Sequence, residues 1–138
     1  MKPKFRAWDS AKKEMFKDTF AITESGQVVV VEQESVVCPP DYVFVDHLVI
    51  MQSTGLFDKN NKEIFEGDIV KRYRSPFFKA EWEYRIEIVI KEEARLLLGR
   101  KYGKNFWTIP FHSPFAKSDL LEVIGNIYEN KNLLEVEE

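Results

Sequence analysis

Cysteine is all but missing: Cys38 stands alone in a chain of 138 residues, which excludes an intramolecular disulfide and a thiolate zinc site. Histidine is nearly as scarce, with His47 and His112 only. Nucleophilic catalysis of the Ser/His/acid or Cys/His kind needs a base beside its nucleophile, and neither histidine sits in a recognisable frame. Cys38 ends an apolar run before two prolines, so it is expected as a buried structural thiol. Asp46-His47 and His112 offer sparse ligands at no diagnostic spacing, so neither a metal nor another cofactor is expected. Long hydrophobic runs are absent too. The longest aliphatic stretch, Val28 to Val31, is far too short to cross a bilayer, and the basic opening MKPKFRAWDS leads into no apolar segment. A cytoplasmic protein without a membrane partner is expected. Glycine and proline, six of each, are too few for a disordered or low-complexity chain.

What is present is ordinary in amount and uneven in order. Hydrophobic residues make up 44% of the chain and charged residues 31%, enough for one domain with a conventional core. Aromatics reach 14%, led by eleven phenylalanines. The net charge of −3 points to neither nucleic acid nor membrane, yet it hides alternating blocks: +4 over residues 1–17, −8 over 18–70, +5 over 71–104 and −4 over 105–138. Such blocks on neighbouring elements are expected to pair with one another in part.

The clearest periodicity runs from Glu81 to Lys91. Trp82, Tyr84, Ile86, Ile88 and Ile90 alternate with Glu83, Arg85 and Glu87, which predicts a strand with the first set buried and the second facing solvent or a partner. Strand chemistry continues at Arg95 to Leu98 and at Asn105 to Phe111. Gly99 and Gly103 bracket a predicted hairpin connection, since glycine accepts positive φ. Gly67-Asp68 reads as a turn feeding a strand over Ile69 to Tyr73, and DKNNK, Asp58 to Lys62, as another turn. Phe5 to Trp8, Met15-Phe16 and the valine-rich Gln27 to Glu32 are further strand material, and Pro39-Pro40 ends the run that follows. The tail supports two readings: a helix through Leu120, Leu121, Ile124, Ile127 and Tyr128 capped by Ser118 or Asp119, or a strand from Glu122 to Tyr128 bulged at Gly125. No repeat or linker interrupts the chain.

Few constellations suggest chemistry. Gly99 to Lys104 is one residue short of a phosphate-binding loop and lacks its Ser or Thr. Glu66 and Asp68 flank Gly67 as an acid/base pair might, but a turn that bonds its own backbone explains them as well. The candidate binding surface is the basic segment, with Lys71, Arg72, Arg74, Arg85, Arg95, Arg100, Lys101 and Lys104 interleaved with aromatics. Small β-barrels hold single strands of nucleic acid with such a surface. Because strands alternate sides, Lys71 must face away from Arg72, so dispersed, partly neutralised charge is expected.

The stretch Met51 to Val70 (MQSTGLFDKNNKEIFEGDIV) strongly resembles the signature of the YopX family of phage and prophage proteins. Phe5-Arg6-Ala7-Trp8-Asp9 with Met15, and Glu122 to Asn130 (EVIGNIYEN), agree in order, so the resemblance spans the chain. Asn61 stands where the family often has Gly, and Asn also accepts the left-handed backbone. The resemblance implies a mainly β fold: an SH3-like barrel core over about 51–138, with additional N-terminal strands over about 1–50 and short helices, in a single YopX-like domain. It also implies a closing strand at Glu122 to Tyr128 and a short turn at Lys131 to Leu134. It brings no catalytic residue. The expected role is that of a phage or prophage accessory protein acting as a non-enzymatic interaction module, a homo-oligomer with a phage or host protein as partner. Single-stranded nucleic-acid binding is the less favoured alternative.

Overall fold

The computed structural model describes residues 4–76, 81–92, 95–102, 105–110 and 117–134. The protein is mainly β: twelve strands and two 3₁₀ turns are found among the described residues, with no α-helix. The expected short helices are those single turns, Ser118–Leu120 and Lys131–Leu134. The chain divides into two compact units, Arg6–Ile50 and Met51–Glu138 with Met1–Phe5.

In the first unit β1 (Phe5–Asp9) pairs antiparallel with β2 (Glu14–Met15), Trp8 opposite Met15. The polar connection closes because Asp9 Oδ1 accepts the amides of Ala11 at 2.9 Å and Lys12 at 3.0 Å, while Lys13 takes a φ of 59°. Next comes a sheet of β3 (Phe20–Ile22), β4 (Val28–Glu32) and β5 (Asp41–Val45), ordered β3-β4-β5. β6 (Leu48–Phe57) begins here and continues into the second unit. Ala7, Trp8, Val29 and Leu48 are buried.

The second unit opens with a hairpin of β6 and β7 (Glu63–Phe65) around the turn 58–62. Asp58 makes that turn: its Oδ1 accepts from the amides of Asn60 and Lys62, each at 2.8 Å, and Asn61 adopts a φ of 65°. Asp58 Oδ2 reaches across to the amide of Val123 at 2.8 Å, which ties the turn to the last strand. A tight turn at Gly67, with a φ of 88°, feeds β8 (Asp68–Tyr73). An antiparallel sheet follows, ordered β11-β10-β9-β8-β12, from β9 (Tyr84–Glu92), β10 (Arg95–Tyr102), β11 (Asn105–Pro110) and β12 (Leu121–Asn126). Its core joins Ile64, Val70, Val89, Leu98 and Leu121, with Ile109 and Val123 packed against them. The tail is thus a strand, with a register shift between Val123 and Gly125 where the bulge was expected.

Three expectations change. The inward face of β9 carries Val89 and Glu87, 1% and 3% exposed, whereas Tyr84 is exposed and Ile86, Ile88 and Ile90 are only half-buried. Register decides this: Val89 lies opposite Leu98 and Glu87 opposite Val70, on the core side. Glu87 can go inside because Arg72 goes with it. Second, Gly99 to Tyr102 belong to β10, and Tyr102 pairs with Asn105; Gly103 of the predicted connection lies outside the described residues. Third, Cys38 is half-buried and follows Val36 and Val37, which are 94% and 87% exposed. The double proline keeps this segment out of the sheet, and it bonds locally instead, Cys38 N to Ser35 O at 3.1 Å.

Candidate functional site

The basic segment divides across the two faces of the meander β8 to β11. On one face Lys71 Nζ lies 4.5 Å from the centre of the Tyr84 ring, and Lys59 Nζ 4.2 Å from that of Tyr73. The Tyr73 hydroxyl donates to Glu122 Oε1 at 2.7 Å, and this bond, with burial and the carboxylate charge, raises the phenol above its usual range. These cations are committed to neighbouring aromatics.

The other face gathers three arginines. Arg72 is opposite Arg85, and Arg100 is opposite Trp107. Arg72 grips Glu87 with two bonds, Nε to Oε1 at 2.7 Å and Nη2 to Oε2 at 2.9 Å. Both partners are buried, at 6% and 3% exposure. The Trp82 ring serves Arg85 at 4.5 Å and Arg72 at 5.2 Å, so Trp82 belongs to this face and not to that of Tyr84, as the alternation had suggested. A bend at 81–83 turns it over. Burial above all, then the like charges of Arg100 and Arg72, pull Arg85 below its usual range, and Glu87 works in the other direction. Glu87 thus pairs with Arg72, and Arg85 and Arg100 share the face with that pair.

Of the remaining candidates, Arg74 is exposed beyond the end of β8, where its amide bonds Glu83 O at 3.0 Å. Arg95 and Lys101 occupy backbone positions on β10. Lys104, His112 and residues 135–138 of the acidic tail lie outside the described residues. Within the segment 58–68, Asp58 serves its own turn and Asp68 Oδ2 accepts the amide of Phe65 at 2.8 Å. Glu66 Oε1 accepts the amide of Gln52 at 3.1 Å, so the Glu66 and Asp68 pair is used on backbone, as a turn requires.

A second feature escaped the sequence reading. Among the described residues β5 pairs with β4 alone and forms the edge of its sheet. It exposes Tyr42 at 63%, Val43 at 41% and Phe44 at 63%. The signal was there, in the alternating aromatic and β-branched run DYVFV, but Pro39-Pro40 immediately before it reads as a terminator. In the same unit a cleft of about 680 Å³ has Phe16, Val30, Val43 and Val45 on its apolar side and Asp9, Lys12, Glu32 and His47 among its polar residues. His47 Nε2 stands 3.9 Å from Asp9 Oδ2. No group of three or more His, Cys, Asp or Glu side chains converges to hold a metal among the described residues.

The family profile described as YopX protein matches residues 4–135, nearly the whole chain. The chain belongs to the YopX family. It is also similar to a crystal structure of protein EF1440 from Enterococcus faecalis, with 29% identity and a TM-score of 0.56 over 97% of this chain and 99% of the other. No curated protein matches. In this YopX member the segments that carry the family likeness do structural work at the backbone. Asp58 binds Val123, Ile127 N donates to Gly67 O at 2.9 Å, and Gly67 N donates to Val89 O at 2.8 Å. Asn126 Oδ1 accepts the amides of Tyr128 and Glu129, each at 2.9 Å, and closes the turn after β12. No helix among the described residues is long and apolar enough to cross a membrane.

Proposed function

We propose that this YopX protein is a non-enzymatic interaction module that self-associates through β5, serving a phage as an accessory protein in the host cytoplasm. The observation that carries the reading is the singly paired, exposed β5. An open edge presents unpaired N–H and C=O groups to another strand. Antiparallel pairing of two copies about Val43 sets Tyr42 against Phe44 of the second copy, twice, on one face. It also sets Asp41 against Val45 and so keeps the acidic ends apart, which parallel pairing would not do. The non-enzymatic part is supported by the use of Asp58, Glu66, Asp68 and Asn126 as backbone ligands. An SH3-like barrel is the reading we give to the Gly67-Asp68 turn and the β8 to β11 meander that follows it. Sedimentation velocity at tens of micromolar tests the assembly. A dimer that Tyr42→Lys/Phe44→Lys converts to folded monomer is expected; a strict monomer in the unsubstituted protein overturns the reading.

A further inference from the structure

The cleft beside β4 and β5 holds a carboxylate of which the neighbouring turn uses one oxygen only. Asp9 is 3% exposed and lines the cleft. Its Oδ1 accepts the amides of Ala11 and Lys12. Among the described residues its Oδ2 meets only His47 Nε2, at 3.9 Å. That gap is too long for a direct hydrogen bond and suits a bridging donor: a nitrogen about 2.8 Å from each acceptor fills it with roughly 90° between its two bonds. The His47 carbonyl is fixed by Ser10, whose amide donates to it at 2.9 Å and whose hydroxyl donates at 2.8 Å, and the imidazole lies on the cleft with 38% of its surface exposed. The amide of Lys12 above all holds the Asp9 carboxyl below its ordinary value against the cost of burial, so the group is an anion at neutral pH. A buried carboxylate oxygen without a donor is unfavourable, and a ligand that brings one relieves it. Of the other charges on the lining, Lys12 and Lys17 match Asp18 and Glu32 in number, which leaves one negative charge for the ligand.

We propose that this cleft binds a primary ammonium on a short aliphatic chain, its nitrogen bridging Asp9 Oδ2 and His47 Nε2 and its methylenes lying on Phe16, Val30, Val43 and Val45. An ammonium has three protons to donate and no acceptor, which fits two facing acceptors and leaves its stem for the apolar side. A volume of about 680 Å³ is that of a small-molecule site. A metal ion fits less well, since Asp9 and His47 are two ligands and no third joins them among the described residues. Both a free alkylamine and the lysine side chain of a peptide supply this chemistry. Val43 and Val45 lie on the face of β5 opposite Tyr42 and Phe44, so the site does not draw on the aromatic contacts assigned to self-association.

Calorimetry on the full chain at neutral pH compares n-pentylamine, ethylamine, 1-pentanol and Nα-acetyl-lysine N-methylamide. Pentylamine is expected to bind at least about tenfold more tightly than ethylamine, because each buried methylene is worth about fourfold. It should exceed pentanol, which lacks the charge, by a similar factor. Acetyl-lysine methylamide that binds as tightly as pentylamine or better assigns a peptide lysine as source, and weaker binding assigns the free amine. Asp9→Asn keeps an oxygen for the Ala11 and Lys12 amides and puts a donor in place of Oδ2. It is expected to lower pentylamine affinity about 10- to 100-fold. His47→Leu, whose carbonyl still receives Ser10, is expected to lower it about fivefold or more. Thermal melts show that each variant is folded. Pentanol binding as tightly as pentylamine, no pentylamine binding at millimolar concentration, or unchanged affinity in a folded Asp9→Asn or His47→Leu protein overturns the proposal. Tyr42→Lys/Phe44→Lys leaves amine binding intact, which separates this test from that of self-association.

Discussion

Glu87 looks like a surface residue in the alternating run Glu81 to Lys91, and its replacement by alanine would then cost little. Its position in the sheet reverses that expectation. The carboxylate is 3% exposed and the Arg72 guanidinium it holds 6%, joined by two bonds of 2.7 and 2.9 Å. Glu87→Ala leaves Arg72 buried, unmatched by its carboxylate and opposite Arg85. Breaking a buried pair from one side costs about 3–5 kcal/mol, a large share of the roughly 5–15 kcal/mol that holds a domain together. For a chain of this length that corresponds to a fall in melting temperature of roughly 10–20 °C. Glu83→Ala, at an exposed position, should stay within about 0.5 kcal/mol of the parent. The double change Arg72→Met/Glu87→Leu removes both charges and should recover most of the loss, because an apolar pair of similar volume needs no partner. Urea unfolding followed by tryptophan fluorescence measures all four proteins. A Glu87→Ala protein within about 1 kcal/mol of the parent would refute the buried-pair argument.

Asp58→Ala removes the acceptor of three amides, those of Asn60, Lys62 and Val123, and should cost about 2–4 kcal/mol in urea melts, with Asp58→Asn in between. Gly125→Ala would drive a Cβ into the Asn130 side chain, which accepts the Asn126 amide at 3.1 Å. A loss of about 1–3 kcal/mol is expected, less when Asn130 is also alanine, by thermal melts of the double-mutant cycle. The amide of Lys12 above all, then that of Ala11 and the nearby His47, hold the Asp9 carboxyl below its ordinary value of 3.8 against the cost of burial. Its folded pKa being depressed, the stabilisation is complete above the unfolded value and is lost as pH falls through the folded one. NMR should therefore show the Ala11 and Lys12 amides shifting only as pH falls below that ordinary value, and Asp9→Asn should remove that transition.

Local chemistry was legible in the sequence because local chemistry makes the turns. Asp58 to Lys62 bonds its own backbone, Gly67 takes the positive φ that no side chain favours, and Gly125 lies at the bulge of β12. The strands β1, β4, β8 and β9 followed from β-branched and aromatic runs, and the family likeness turned the ambiguous tail into a strand. The faces were another matter. Period two says which residues of β9 travel together, but either set can be the inner one, and the choice was made by Val70 and Leu98 on the strands to either side. Only the folded sheet brings Arg72 to Glu87, fifteen residues apart, or sets Arg100 beside Trp107. The same holds for β5: its run of aromatic and β-branched residues belongs to the sequence, whereas its open edge exists because β4 has taken one side and no described strand takes the other.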